Sequence, residues 1–321
     1  MPHVTFIHGL SNKPDPNTLL SIWNRALAGG GGLNLAEEGV TCSMVYWADV
    51  LYTSPDVGDT VAIYESNQGD ALARADGSVE AELLEIQIDS QAEAEFVDSL
   101  HRHFTSASFA QIDSGAVPGL DDPSAVALER VPLPWFIKKR IMKAFLRDAH
   151  HYYFNKPFSP RPDANYMVQD EIRGRFIREI NPATNPVLAQ NKGPHIVVAH
   201  SMGTMIAYDC LMRVPDCPGI DGLMTLGSPL GIDEVQDCNK PEWSRANGFP
   251  ARKLAKRWVN VYDRLDVVCA ADPRLSGDFR SEGADRIEDI GVSNEGAWRH
   301  AIVKYLGQTR VREALASMLE L

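Results

Sequence analysis

Basic residues are in short supply: 31 Lys and Arg stand against 43 Asp and Glu, a formal net charge of −12. Nucleic-acid binding needs Lys and Arg clustered against phosphates, so this balance argues against it. It also works against long-range attraction to an anionic membrane. Cysteine is sparse as well. Cys42, Cys210, Cys217, Cys238 and Cys269 are odd in number and include no Cys-x-x-Cys. Neither a disulfide framework nor a zinc site is expected, a Cys210–Cys217 bond included, and a reducing compartment, the cytoplasm, is the expected location. No apolar run approaches the roughly 20 residues of a membrane helix. The Met1-Pro2-His3 start has neither the basic region nor the long apolar segment of a secretory leader. Internal repeats and low-complexity tracts are absent.

What is present is ordinary globular material, 44% hydrophobic and 23% charged over 321 residues. That length suits one large core with an insertion, or two domains. Val4 to Ile7 reads as a strand ending at His8-Gly9, and an amphipathic helix follows over 18–28, with Leu19, Ile22, Trp23 and Ala26 on one side. A second strand is expected near 40–47. From about 165 a helix (165–180), a strand (195–199), a helix (202–213) and strands at 223–226, 257–262 and 285–290 alternate, and a helix running from His300 closes the chain. Strands alternating with helices predict an α/β fold with a mostly parallel central sheet flanked by helices on both faces.

Residues 50–164 differ in texture. Acidic residues dominate 56–98, where a helix is expected to hold Leu83, Leu84, Ile86, Ile88, Phe96, Val97 and Leu100. Its acidic face is expected to be solvated, with an electrostatic contact to a basic helix as the other use for it. That basic amphipathic helix, 135–147, groups Ile137, Ile141, Met142 and Phe145, with Lys138, Lys139, Arg140, Lys143 and Arg147 elsewhere. It is expected to pack as a lid helix on the core; peripheral membrane contact is the alternative use of such a helix. No strand is expected in this block, which reads as a helical cap on a core made of 1–49 and 165–321.

The most informative segment is His195-Ile-Val-Val-Ala-His-Ser-Met-Gly203. An apolar strand runs into Ser201 and a small-residue helix follows at once, which puts the serine at the apex of a strand–turn–helix. A serine hydroxyl is a poor nucleophile unless a fixed perch and a neighbouring base activate it. The order nucleophile, acid, histidine, each on a loop after a sheet strand, points to Asp263 or Asp266 past the strand ending at Tyr262, with Asp266 favoured and Asp263 suited to binding loop amides. The same order points to His300 as base, among nine histidines. The amides of Met202, after the serine, and of Leu10, after the first strand, are the candidate oxyanion donors.

The segments Phe6-Ile-His-Gly-Leu10, Val198-Ala-His-Ser-Met-Gly203, Leu226-Gly-Ser-Pro229, Val261-Tyr-Asp-Arg-Leu-Asp-Val-Val268 and His300-Ala-Ile-Val-Lys-Tyr-Leu306 together resemble the α/β-hydrolase superfamily, and within it lipase- and esterase-like branches. The resemblance covers about 1–48 and 165–321. It implies a serine ester hydrolase that needs no cofactor or metal, with Ser201 as nucleophile, Asp266 as acid and His300 as base, acting on a small-molecule or lipid ester. The same residues serve acyl transfer to another acceptor, and a hydrolase-fold interaction protein without chemistry is the rival from another class. Two departures stand out. Ala199 sits where the elbow usually has glycine, and the chain begins at what is normally the third strand, so the sheet is expected near six strands.

Overall fold

The computed structural model describes residues 1–56, 86–105, 135–190, 192–269, 272–296 and 298–321. The strands are β1 (His3–Ile7), β2 (Thr41–Val45), β3 (Pro157–Phe158), β4 (Tyr166–Met167), β5 (His195–His200), β6 (Ile220–Leu226), β7 (Leu254–Asp263) and β8 (Ile287–Val292). The helices are α1 (Pro16–Ala28), α2 (Ala48–Leu51), α3 (Gln91–Thr105), α4 (Trp135–Tyr153), α5 (Val168–Ile180), α6 (Pro186–Ala189), α7 (Met202–Arg213), α8 (Asp233–Asp237), α9 (Ile302–Gly307) and α10 (Thr309–Leu319). Six strands form one sheet in the order β2-β1-β5-β6-β7-β8, every neighbouring pair parallel. The α/β class, the six strands and the parallel run are therefore as the sequence predicts.

Period-two alternation explains why the strands are apolar at almost every position. Val4, Phe6, Ile196, Val198, Met224 and Val259 point to one face, where Leu19, Trp23 and Leu27 of α1 and Tyr305, Leu315 and Leu319 of α9 and α10 cover them. Ile7, Val197, Ala199 and Leu223 point to the other, under Phe145 and Tyr152 of α4, Ile172 and Phe176 of α5 and Met205 of α7. Each such aliphatic side chain withdrawn from water contributes about 1.5–3 kcal/mol before entropy is counted. Helix α1 starts where its chemistry says it should. Asp15 Oδ1 accepts from the Asn17 and Thr18 amides at 3.1 Å, and Pro16 occupies the first turn.

Strand order places the site. From β1 the chain first adds β2 on one side, then crosses back to add β5 on the other. The β1–β5 boundary is thus a switch point, where parallel sheets leave a crevice beyond their carboxyl ends. Ile7 is in register with Ala199, so the segment after β1 and the segment after β5 emerge side by side.

Several boundaries differ from expectation. The helix predicted around Ile86 and Ile88 begins only at Gln91, and Ile88 is 46% exposed; Leu83 and Leu84 lie outside the described residues. The block expected to lack strands contains β3, which pairs antiparallel with β4. The terminal helix is two helices, broken where Gln308 adopts an extended ψ of 132°, and His300 lies in the turn before α9 rather than inside it. In the basic stretch 135–147, the side chains of 135–141 lie outside the described residues. Phe145 and Leu146 are buried in the core, and so is Arg147, which was expected with the other basic side chains off the apolar face.

Candidate active site

Ser201 connects β5 to α7 in a conformation few serines adopt, φ 55° and ψ −130°. A non-glycine residue held there costs on the order of 1–3 kcal/mol, which the surroundings must over-determine. They do so from both sides. The Ser201 amide donates to the Leu226 carbonyl at the end of β6 (3.0 Å). The Ser201 carbonyl accepts from the Thr204 amide (2.9 Å) and hydroxyl (2.7 Å). Two glycines make room. A Cβ on Gly9 would stand 2.5 Å from Ser201 Cβ, and one on Gly203 would stand 2.6 Å from the His8 carbonyl oxygen, so only glycine lets β1, the serine and α7 approach this closely. Ala199, two residues before the serine, is fully buried and in register with Ile7 and Thr225; its methyl fits the sheet face.

His300 and Asp266 are brought together. His300 Nδ1 donates to Asp266 Oδ2 at 2.7 Å. Asp266 Oδ2 also accepts the Tyr305 hydroxyl (2.6 Å), and Oδ1 accepts the Val268 amide (3.0 Å). Burial alone would raise the Asp266 pKa. The charge of His300, with the bonds from His300, Tyr305 and Val268, outweighs burial and holds the carboxyl below its usual range. An ionised Asp266 holds a proton on His300 Nδ1, so Nε2 is the ring nitrogen left to exchange a proton with a substrate. Asp263 is also buried but is committed elsewhere. Its Oδ1 accepts the Leu265 amide (2.8 Å), and its Oδ2 accepts the Asn294 amide (2.6 Å) and Arg299 Nη1 (3.1 Å). Burial pushes the Asp263 pKa up, and the Arg299 charge and the two amides offset it only in part. The acid beside His300 is thus Asp266, and Asp263 is a loop clasp.

Three buried polar atoms here lack a hydrogen-bond partner among the described residues: Ser201 Oγ, His300 Nε2 and the Nδ1 of neighbouring His200. Buried polar atoms are nearly always paired, so such exceptions mark places where a ligand's atoms belong. His200, just before the serine, joins the two segments. Its Nε2–H donates to the His300 carbonyl (2.9 Å), and the two rings lie 4.6 Å apart.

The oxyanion candidates follow from peptide geometry. The Trp47 amide donates to His8 Nε2 (2.9 Å), so the His8 proton is on Nδ1, which donates to the Gly9 carbonyl (2.8 Å). Burial keeps His8 neutral by driving its pKa well below the usual value. The Gly9 carbonyl and the Leu10 N–H belong to one trans peptide and point oppositely, so the His8 bond turns the Leu10 N–H away from the His8 ring. Met202 is the first residue of α7, where helix geometry leaves the N–H without an intrahelical acceptor. Neither amide donates to a protein acceptor among the described residues.

No protein-family model matches the chain, and no curated protein matches it. Among the described residues no three His, Cys, Asp or Glu side chains gather to hold a metal ion, and no helix is long and apolar enough to cross a membrane. Cys42, Cys210, Cys217, Cys238 and Cys269 are all free thiols. Tyr305, His200 and His8 stand within the segments singled out in the sequence, but sequence reasoning gave none of the three side chains a role. Tyr305 carried a faint signal, lying five residues after His300, one helical turn from its loop. The His200 bond to the His300 carbonyl and the Trp47 bond that sets the His8 tautomer join distant segments.

Proposed function

We propose that this chain is a serine ester hydrolase of the α/β-hydrolase kind. One observation carries the reading above the others: an unpartnered serine hydroxyl on a strained strand–helix turn, and a buried His–Asp pair, held to the residue before that serine, whose outer nitrogen is also unpartnered. Ser201 Oγ attacks the ester carbonyl and its proton passes to His300 Nε2. Asp266 stabilises the imidazolium through Nδ1–H, and Tyr305 shares the load on that carboxylate. The negative charge on the carbonyl oxygen is met by the Leu10 and Met202 amides; one such donor is worth about 2.7–4 kcal/mol of barrier. The C–O bond then breaks, His300 returns the proton to the departing alkoxide, and the acyl group stays on Ser201. A water deprotonated by His300 releases it as a carboxylic acid. Ser201 Oγ and His300 Nε2 are not bonded to one another in the free protein; such contacts commonly tighten only with substrate bound.

The 50–164 block is proposed as a cap that selects bulky or lipid-like esters: its described helices α3 and α4 bury Phe96, Leu100, Phe145 and Tyr152 in the same core cluster as Leu10 and Met202. A fluorophosphonate probe is expected to label Ser201, and p-nitrophenyl esters of graded chain length to be turned over. Ser201→Ala is expected to remove at least about 10⁴-fold of the activity. It should change stability by no more than about 0.5–1 kcal/mol, because Oγ makes no bond to lose. Folded wild-type protein that stays unlabelled under conditions that label a control hydrolase would end this reading.

A further inference from the structure

Outside the Ser201–His300–Asp266 group, one fully buried carboxylate is spent on the oxyanion loop itself. Asp148, near the end of α4, accepts the Ser11 amide on Oδ2 at 2.9 Å. The Tyr52 hydroxyl donates to the same carboxylate at 3.3–3.4 Å. Arg147 Nε and Nη2 donate to Oδ1 at 2.9 and 2.7 Å, and the Arg147 guanidinium lies 4.4 Å over the Tyr52 ring. Burying a carboxylate is costly unless it is paired and hydrogen-bonded. This one is satisfied by its chain neighbour, by a tyrosine beyond α2 and by the amide that follows Leu10.

The identity of that amide matters. Ser11 has φ 69°, a left-handed conformation serine rarely takes, so its N–H is aimed by a turn that needs support. The Asp148 bond fixes the Leu10–Ser11 peptide on one side of Leu10, and the His8 bond to the Gly9 carbonyl fixes the Gly9–Leu10 peptide on the other. Leu10 is thereby clamped at both of its peptides, its own N–H left over for a ligand.

We propose that Asp148 is a positioning residue: its bond to the Ser11 amide aims the Leu10 N–H at the developing oxyanion and makes that donor depend on the seating of α4. The inference rests on the ester-hydrolase reading of Ser201. It gives α4 a role in the chemical step as well as over the substrate.

The test compares matched oxygen and thiono esters, because an oxyanion hole discriminates between a developing C–O⁻ and a larger, more weakly accepting C–S⁻. Wild-type protein is expected to prefer the oxygen ester strongly. Asp148→Ala is expected to lower kcat on the oxygen ester about 100-fold with KM within twofold, and to lower the oxygen-to-thiono ratio by a similar factor. Asp148→Asn retains an acceptor for the Ser11 amide but loses the charge, and is expected to fall about 10-fold in both. Asp209→Asn weakens another buried cluster joining α4, α5 and α7, in which Asp209 accepts from Tyr152 and Arg173; its ratio is expected to match wild type. A wild-type ratio in whichever Asp148 variant folds overturns the inference, even if its rate has dropped, for that pattern means general loosening. A ratio that falls equally in Asp209→Asn overturns it too. If wild-type protein turns over neither ester and the probe leaves Ser201 unlabelled, the hydrolase reading fails first and takes this inference with it.

Discussion

Asp263 ends β7 and Asp266 lies three residues on in the turn that follows; both are buried, and their surroundings push them in opposite directions. Pairs of titratable groups driven apart in this way take different tasks. Asp266 faces His300 and Tyr305, so Asp266→Asn removes the charge and sets an NH2 donor among the three donors that converge on the carboxylate, and the His300 tautomer is no longer fixed. The expected result is a loss of about 10⁴ in kcat with little change in folding. Asp263→Asn should do the reverse. It leaves Arg299 buried without its counter-charge, and unmaking one side of a buried pair costs about 3 kcal/mol; kcat in the folded fraction should stay within about tenfold. Steady-state rates and urea unfolding on the two variants check this, and the larger rate loss at Asp263 would reverse the assignment. This scale also shows what a sequence can carry. Ser201 is legible because strand, turn and helix are contiguous, and His300 because its place in chain order is unusual. Nothing local separates Asp263 from Asp266, since the choice depends on which carboxylate the turn after β7 swings toward a histidine 34 residues on. Asp148 and Ser11, 137 residues apart, are beyond any local pattern.

Elements were legible in proportion to their periodicity. The expected helix over 202–213 coincides with α7, and β1 and β5 lie within a residue of expectation, because unbroken apolar runs in a two-faced sheet leave one register. Helix α3 shows how the argument fails. Apolar residues at 83, 84, 86 and 88 suggested an early start, but Ser90 and Glu93 form a reciprocal cap that starts the helix at Gln91. The Glu93 amide donates to Ser90 Oγ, and Ser90 Oγ lies 3.2 Å from Glu93 Oε1. The acidic face expected to be solvated is in part internal, because Glu93 Oε2 also accepts His150 Nε2 (2.8 Å) and lies 2.7 Å from Lys156 Nζ. Among the described residues the expected contact with basic side chains is made by His150 and Lys156; the side chains of 135–141 lie outside them. Burial opposes the charge on Glu93, yet Lys156 and His150 outweigh it and bring its pKa down to about 2. Since the cap and the inter-helix contact share one carboxylate, Ser90→Ala should cost about 1 kcal/mol in urea unfolding and loosen α3 on α4. Amide exchange should then quicken through 91–105 while 202–213 keeps its protection; uniform change in both helices would contradict a local cap.

At the scale of the whole molecule, the two edges of the sheet are chemically unlike. The carboxyl edge holds Ser201 and its partners. The amino edge holds a second pair of histidines, His3 and His195, opposite one another in register with rings 5.3 Å apart. His3 Nδ1 lies 2.8 Å from Thr41 Oγ1 and its Nε2 3.0 Å from Ser43 Oγ, while His195 Nε2 lies 2.8 Å from Thr5 Oγ1, so the partners are hydroxyls and bring no counter-charge. Burial lowers the His3 pKa to about 4; burial and then the His3 charge lower that of His195 to about 3. Both are neutral in the folded protein at pH 6, whereas in the unfolded chain each takes up a proton below its ordinary value of 6.5. The unfolded state therefore binds more protons between pH 6.5 and the folded values, and stability rises with pH across that window. It is fully present above 6.5 and drains away as the pH falls toward 4 and then 3. The loss should be about 2 kcal/mol per histidine by pH 5. His8 and His200, also held neutral by burial, add to it in the same direction. Urea midpoints taken from pH 7 to pH 5 should therefore fall steadily in the wild type and more shallowly in His3→Gln/His195→Gln. An equal slope in the variant would show that the amino-edge pair carries none of this acid sensitivity. Ester turnover at pH 7 should be within about twofold of wild type in the same variant, because both substituted residues begin their strands and Ser201 lies past the far end of β5.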